Sequence, residues 1–270
     1  MSLILSEIID IMESVAPKEL KEDYDNVGLM VGEKQCKINS VLIALDCTLE
    51  VMQEAIEKNC ELILCHHPLL FNRPSSITDS TLLGRKIRTA IKNNLNIYAA
   101  HTNLDSAEGG LNDLITHMLG FHNSIVMERN LSGREGFADG IGRLVELEIE
   151  KGLVEVCNEV KQALGLEHLR YCGNSEWKIK KLAIVNGSGQ DFFDKAVSMG
   201  ADCIITGDTT YHYVSDLYEE GIAVIDAGHF GTEWPAMKNF GVKFKNMLEQ
   251  KGLCLEVIIS EKSFDPYKML

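Results

Sequence analysis

The chain is 270 residues long, 45% hydrophobic and 24% charged, with a formal charge of −14 from 26 basic and 40 acidic residues. That length accommodates one large domain or two lobes, and the composition is that of a soluble globular protein able to bury a sizeable core. The acidic excess argues against extended nucleic-acid binding, which needs clustered Lys and Arg, but allows a nucleotide at a local site where bound cations supply positive charge.

No apolar run approaches the roughly 18 to 20 residues needed to span a bilayer. The opening MSLILSEIID has only a short apolar stretch with acidic residues soon after, so no secretory signal is expected and a cytoplasmic location is. The eight cysteines are scattered without a CxxC pair. Cys65 and Cys203 lie in apolar, strand-like runs, which predicts buried reduced thiols and no disulfide framework.

In chain order, VLIALD (41–46) reads as a buried strand. TLEVMQEAIEKN (48–59) follows as a helix, with Thr48 as N-cap and Val51, Ala55 and Ile56 on one side. ELILC is a second strand, a helix is expected around 81–93, and NIYAAH is a third strand ending in His101. LNDLITHMLG (111–120) places Leu111, Leu114, Ile115, Met118 and Leu119 on one helical face, with Gly120 to terminate it. Residues 121–140, rich in Gly, Asn and Ser, read as connecting loop. VELEI (145–149) alternates like a half-exposed strand, and GLVEVCNEVKQALG (152–165) reads as a helix. This alternation marks an α/β protein with a largely parallel sheet.

The second half repeats the plan. KKLAIVNGSGQDFFDKAVSMGADCIITGD (180–208) can be laid under 40–67 with one gap, so that LAIVN falls under LIALD and Gly207-Asp208 under His66-His67. IDAGHFGTE (225–233) falls under IYAAHTNLD (97–105) without a gap. The expectation is two similar three-layer α/β lobes related by internal duplication, at 1–125 and 126–270, with the metal site in the cleft between them and the C-terminal segment able to pack back on the first lobe.

Three clusters carry the candidate chemistry, each at the carboxyl end of a predicted strand, where ligands bind in open α/β sheets. They are His66-His67 in ELILCHHPLLF, His101 with Asp105 in HTNLD, and His229 with Glu233 in GHFGTE. Each alone is compatible with a turn or a satisfied polar pair; together, at matching strand ends, they point to metal. Imidazole with carboxylate suits Zn, Fe, Mn or Ni better than Mg or Ca. Neighbouring side chains on a strand point to opposite sides, so His66 and His67 are expected to serve different ions, with Asp105 and Glu233 able to bridge. His117, His122 and His168 lack such company and read as structural or exposed. NGSGQ (186–190) has no GxGxxG or Walker lysine and reads as a tight turn in preference to an anion cradle. No GxSxG elbow occurs.

CHHP, HTNLD and GHFGTE, in that order, resemble the NIF-three-like family, also called GTP cyclohydrolase I type 2 homologues. YDNVGLMVG (24–32), with Tyr24 where the family usually has Trp, GIGRLVEL (140–147), NGSGQ and ADCIITGD (201–208) resemble further family segments, so the likeness covers nearly the whole chain. The resemblance implies a dinuclear centre of two divalent ions, with His66, His67, Asp105, His229 and Glu233 matching metal ligands and His101 a histidine at the same site. It also implies a hexameric ring, a trimer of dimers.

The leading expectation is a metal-dependent hydrolase acting on a nucleotide, a related heterocycle or a phosphoester. Asp208 and His212, in GDTTYH, are candidates to move protons or hold the substrate, against a hydrogen-bonding structural role. The competing expectation is a non-catalytic metal-binding or metal-handling protein, or a ring-shaped adaptor for a protein partner.

Overall fold

The computed structural model describes residues 3–270; Met1 and Ser2, which begin the opening stretch, lie outside the described residues. The chain starts with β1 (Leu3–Ile4), α1 (Leu5–Val15), β2 (Gly28–Val31) and β3 (Lys37–Ile38). Then come β4 (Ser40–Ala44), α2 (Leu49–Glu57), β5 (Leu62–Cys65), α3 (Leu82–Lys92), β6 (Asn96–Ala99) and α4 (Thr102–Ser106). The middle of the chain forms α5 (Leu111–Met118), β7 (Ile125–Arg129), β8 (Gly140–Gly152), α6 (Leu153–Leu164) and β9 (Arg170–Cys172). It continues as β10 (Lys178–Ser188), α7 (Phe193–Ser198), β11 (Cys203–Gly207), α8 (Tyr211–Glu219) and β12 (Ala223–Asp226). The long α9 (His229–Gln250) and β13 (Glu256–Ile259) complete it.

Two compact units result. One is Met1–Leu104 with Met237–Phe264, and the other is Asp105–Ala236 with Asp265–Leu270. The boundaries fall inside α4 and α9, whereas the sequence reading drew its line between residues 125 and 126.

The first unit is built on a five-stranded sheet in the order β13-β4-β5-β6-β2. β13, β4, β5 and β6 run parallel, with Val41 opposite Leu62 and Leu62 opposite Asn96, and β2 closes the edge antiparallel to β6. Every residue of β4, β5 and β6 is buried, as a parallel sheet covered on both faces requires. The apolar face of α2 packs Val51, Met52 and Ala55 against Leu42, Ile63 and Ile97. Thr48 caps α2 by accepting from Val51 N at 3.1 Å, and Thr81 does the same for α3. Residues 256–264 are part of this unit: Glu256 pairs with Ser40, and Glu54 on α2 accepts from Ser260 Oγ, Glu261 N and Lys58 Nζ.

The second unit has the strand order β7-β8-β10-β11-β12-β9. Here β10, β11 and β12 are parallel, in the same succession as β4, β5 and β6, and β9 lies antiparallel against β12 as β2 does against β6. Its core joins Leu144, Ala183, Val185 and Ile204 to Phe193, Ala196 and Leu217. Each unit thus carries the same three-stranded parallel centre with an antiparallel edge on the same side.

Three expectations are corrected, those for residues 121–140, for the second sheet and for the face of α5. Residues 121–140 are not all loop, since IVMER forms β7, paired with β8; its side chains are mostly exposed, so the stretch lacks the apolar signature of a core strand. β8 is thirteen residues long and antiparallel to β10, so the second sheet is mixed and not largely parallel. α5 buries Leu111, Asn112, Ile115 and Thr116, while Leu114 is only half-buried, because Asn112 turns inward to make specific hydrogen bonds. His117, His122 and His168 are all exposed. All eight cysteines are free, and full burial pushes the Cys65 and Cys203 thiols well above their ordinary range. Among the described residues no helix is long and apolar enough to cross a membrane.

Candidate metal centre

In the first unit β5 stops at Cys65, and His66 N and His67 N both bond the carbonyl of Leu45, at 3.1 and 3.0 Å. The chain therefore leaves the extended geometry that would send neighbouring side chains apart, and the two rings lie with centroids 5.2 Å apart. His101, just beyond β6, sits 5.1 Å from the His66 ring and 5.6 Å from the His67 ring. One ring nitrogen from each of the three lies within 4.8 Å of the others, close enough to share an ion.

Each of these rings is held by Nδ1. His66 Nδ1 bonds the carbonyl of Ala100 at 2.8 Å, His67 Nδ1 the Asp46 carboxylate at 2.8 Å, and His101 Nδ1 the Asp25 carboxylate at 2.9 Å. An acceptor at Nδ1 places the proton there and leaves the lone pair on Nε2, which is the tautomer a metal needs. Asp25 has a fully buried side chain, and Oδ2 accepts from both the hydroxyl and the N–H of Thr102. Burial alone would raise its pKa, but the hydrogen bond and charge of His101, with the Thr102 bonds, outweigh that and bring it down to about 2.

In the second unit the first turn of α9 sets His229 and Glu233 on one face, with Nε2 and Oε2 3.0 Å apart. His229 Nδ1 lies 2.7 Å from Asp208 Oδ2, so this ring is oriented by a carboxylate at each nitrogen. Asp208 stands at φ +50°, a left-handed conformation that Asp tolerates better than most residues, immediately after β11. The buried carboxylates of Asp105 and Glu233 are tied together by one amide: Asn186 Nδ2 donates to Asp105 Oδ1 at 2.7 Å and to Glu233 Oε1 at 3.4 Å. Asn112 braces this arrangement, donating to the Asp105 carbonyl and accepting from Asn186 N. The buried Asn186 Oδ1 has no hydrogen-bond partner among the described residues.

NGSGQ proves to be neither a simple turn nor an anion cradle. It forms the bulged end of β10, whose register shifts between Ile184 and Ser188. Both of its glycine amides are spent internally, Gly187 N on Thr232 Oγ1 and Gly189 N on Thr206 Oγ1. Gly187 has φ +61°, and a Cβ there would lie 2.1 Å from Glu233 Oε1, so the carboxylate occupies the space that any other side chain would need.

Of the residues singled out from sequence, His66, His67 and His101 converge in the first unit, and Asp105, His229, Glu233 and Asp208 are linked in the second. His212 is exposed on α8 against the Tyr211 ring, and no hydrogen bond or ion pair engages it among the described residues. Sequence reasoning missed the supporting groups Asp25, Asp46, Asn112 and Asn186. A signal existed for two of them, because Asp46 ends LIALD and Asn186 ends LAIVN, equivalent positions in the two copies. Three imidazoles anchored through Nδ1 in the first unit, and one imidazole beside two buried carboxylates in the second, are donor types that fit a divalent transition metal.

Residues 3–266 match the family model described as Duf34/NIF3 (NGG1p interacting factor 3). A protein of Clostridium acetobutylicum named GTP cyclohydrolase 1 type 2 homolog is 51% identical over 269 residues, covering 99% of each chain. A Clostridium perfringens protein of the same name is 52% identical over 266 residues, covering 98% of this chain and 99% of its own. Among solved structures, the Staphylococcus aureus protein SA1388 superposes with a TM-score of 0.91 at 27% identity, covering 99% of each chain. The chain belongs to the Duf34/NIF3 family.

Proposed function

We propose that the chain is a metal-dependent hydrolase that uses two divalent ions, Zn, Fe, Mn or Ni, with His66, His67, His101, Asp105, His229 and Glu233 as their ligands. The observation that carries this reading is the Nδ1 anchoring of His66, His67 and His101, which presents Nε2 in each, with His229 Nε2 set beside the Glu233 carboxylate in the second unit. Two such ions supply an acidified water and a polarised substrate oxygen.

The protein's own groups prepare that chemistry. Asp25, Asp46 and Asp208 hold the rings in orientation, and Asn186 keeps the Asp105 and Glu233 carboxylates side by side. With its carboxylate engaged at His229, Asp208 acts in this reading as a positioning residue, and the exposed His212 is left as the candidate to meet substrate. The name borne by the clostridial relatives directs the substrate class toward a guanine nucleotide or a similar heterocyclic phosphoester. The family resemblance adds a hexameric ring as the expected assembly.

A turnover screen of nucleotides and phosphoesters with metal-loaded protein tests the reading. Hydrolysis that disappears in His67→Ala and Glu233→Ala supports it. Turnover unchanged in both variants overturns the mechanism, and metal uptake with no turnover of any class favours a metal-handling or adaptor role. A monomeric mass by light scattering defeats the ring.

A further inference from the structure

The second unit contains a cleft of about 410 Å³, between α8 and the β9–β12 edge of the sheet, that takes no part in the ligand set above. Its volume lies in the range of small-molecule sites, roughly 300–1,000 Å³. Tyr171, Tyr211 and Tyr218 line it, with Arg170, Thr209 and Asp226 among its polar groups. The tyrosines are 48%, 78% and 49% exposed, an unusual outlay of aromatic surface for one small face. Tyr218 is backed by Trp177, stacked at 5.6 Å between centroids, which fixes its ring.

The polar end is a donor site. Asp226 is 6% exposed, and its oxygens are taken by Thr209 Oγ1 at 2.6 Å, Gly228 N at 3.0 Å and the Arg170 guanidinium. That leaves no bare carboxylate to attract a cation. Arg170 is 67% exposed along its side chain, and its remaining N–H groups are open to an anion, in the planar fork that suits phosphate. Aromatic faces beside an arginine fork select a flat ring that carries an anionic group.

We infer that this cleft is the binding subsite for the base of a nucleoside phosphate. It adjoins the candidate metal ligands through the chain itself: Thr209 follows Asp208, the partner of His229, and Gly228, bonded to Asp226, precedes His229. Base stacking and the phosphate contact at Arg170 stand independently of the metals; only turnover of the bound nucleotide rests on the proposed hydrolase reading.

Calorimetric titration of the full chain with GMP, guanosine and ribose 5-phosphate, before and after chelation, tests the inference. Chelated wild-type protein is expected to bind GMP saturably, guanosine more weakly and ribose 5-phosphate weakest. Tyr211→Ala and Tyr218→Ala should each weaken GMP roughly tenfold or more, as loss of base stacking does. Arg170→Gln should erase the preference for GMP over guanosine. The inference is overturned if chelated protein binds no GMP, if both tyrosine variants bind as wild type does, or if ribose 5-phosphate binds as well as GMP. Metal uptake by the same preparations separates the outcomes: ions bound without GMP defeat the cleft alone, and GMP bound in the cleft without ions defeats the metal proposal alone.

Discussion

Asp208 and Gly187 show how residues outside the proposed ligand set position its side chains. Asp208 carries a left-handed backbone and spends its carboxylate on His229 Nδ1. Asp208→Ala should therefore lower metal affinity roughly 10- to 100-fold with little change in fold, as loss of such outer partners does, measured by competition with a chromogenic chelator. Gly187 leaves room for Glu233, and its φ of +61° disfavours any side chain. In Gly187→Ala the new methyl displaces the Glu233 carboxylate, the flexible end of its side chain. The expected result is a larger loss in metal binding than in thermal stability, and calorimetry alongside metal titration would show the split.

At the scale of elements, the C-terminal segment is fastened to the first unit through Glu54, a buried carboxylate on α2. Burial raises its pKa, but the bonds from Lys58, Ser260 and Glu261 N outweigh this and hold it below the ordinary 4.5. Its contribution to stability is thus fully present above about pH 4.5 and is lost as pH falls through the lowered folded value. Glu54→Gln should cost about 1–3 kcal/mol near pH 7, with the difference from wild type shrinking in acid; denaturant unfolding across pH measures it. The helix α2 was legible because Thr48 is a cap with a local cause, and the strands because VLIA, LILC and IYA are apolar runs, whereas the Thr81 cap of α3 went unread. β7 was not legible, since an exposed edge strand is defined by its partner β8 and not by its own pattern. The imidazoles stood out through strand-end position, whereas Asp25 acts from a loop 76 residues away from His101, a relation that no local spacing encodes.

The whole molecule repeats one device: a parallel three-stranded centre whose carboxyl ends bear the chemistry. The duplication is visible where it was least expected, in the supports, with Asp46 holding His67 in the first copy and Asn186 holding Asp105 and Glu233 in the second. Chelation should lower the melting temperature, and adding back metal should raise it with the logarithm of its concentration above the dissociation constant, because binding to the folded chain alone shifts the equilibrium. The most direct test of the central claim is the metal content of the reconstituted 270-residue chain by mass spectrometry of its elements. The account predicts two equivalents per chain, falling in His67→Ala and in Glu233→Ala. Fewer than two equivalents in wild-type protein, or two that survive both substitutions, would contradict it.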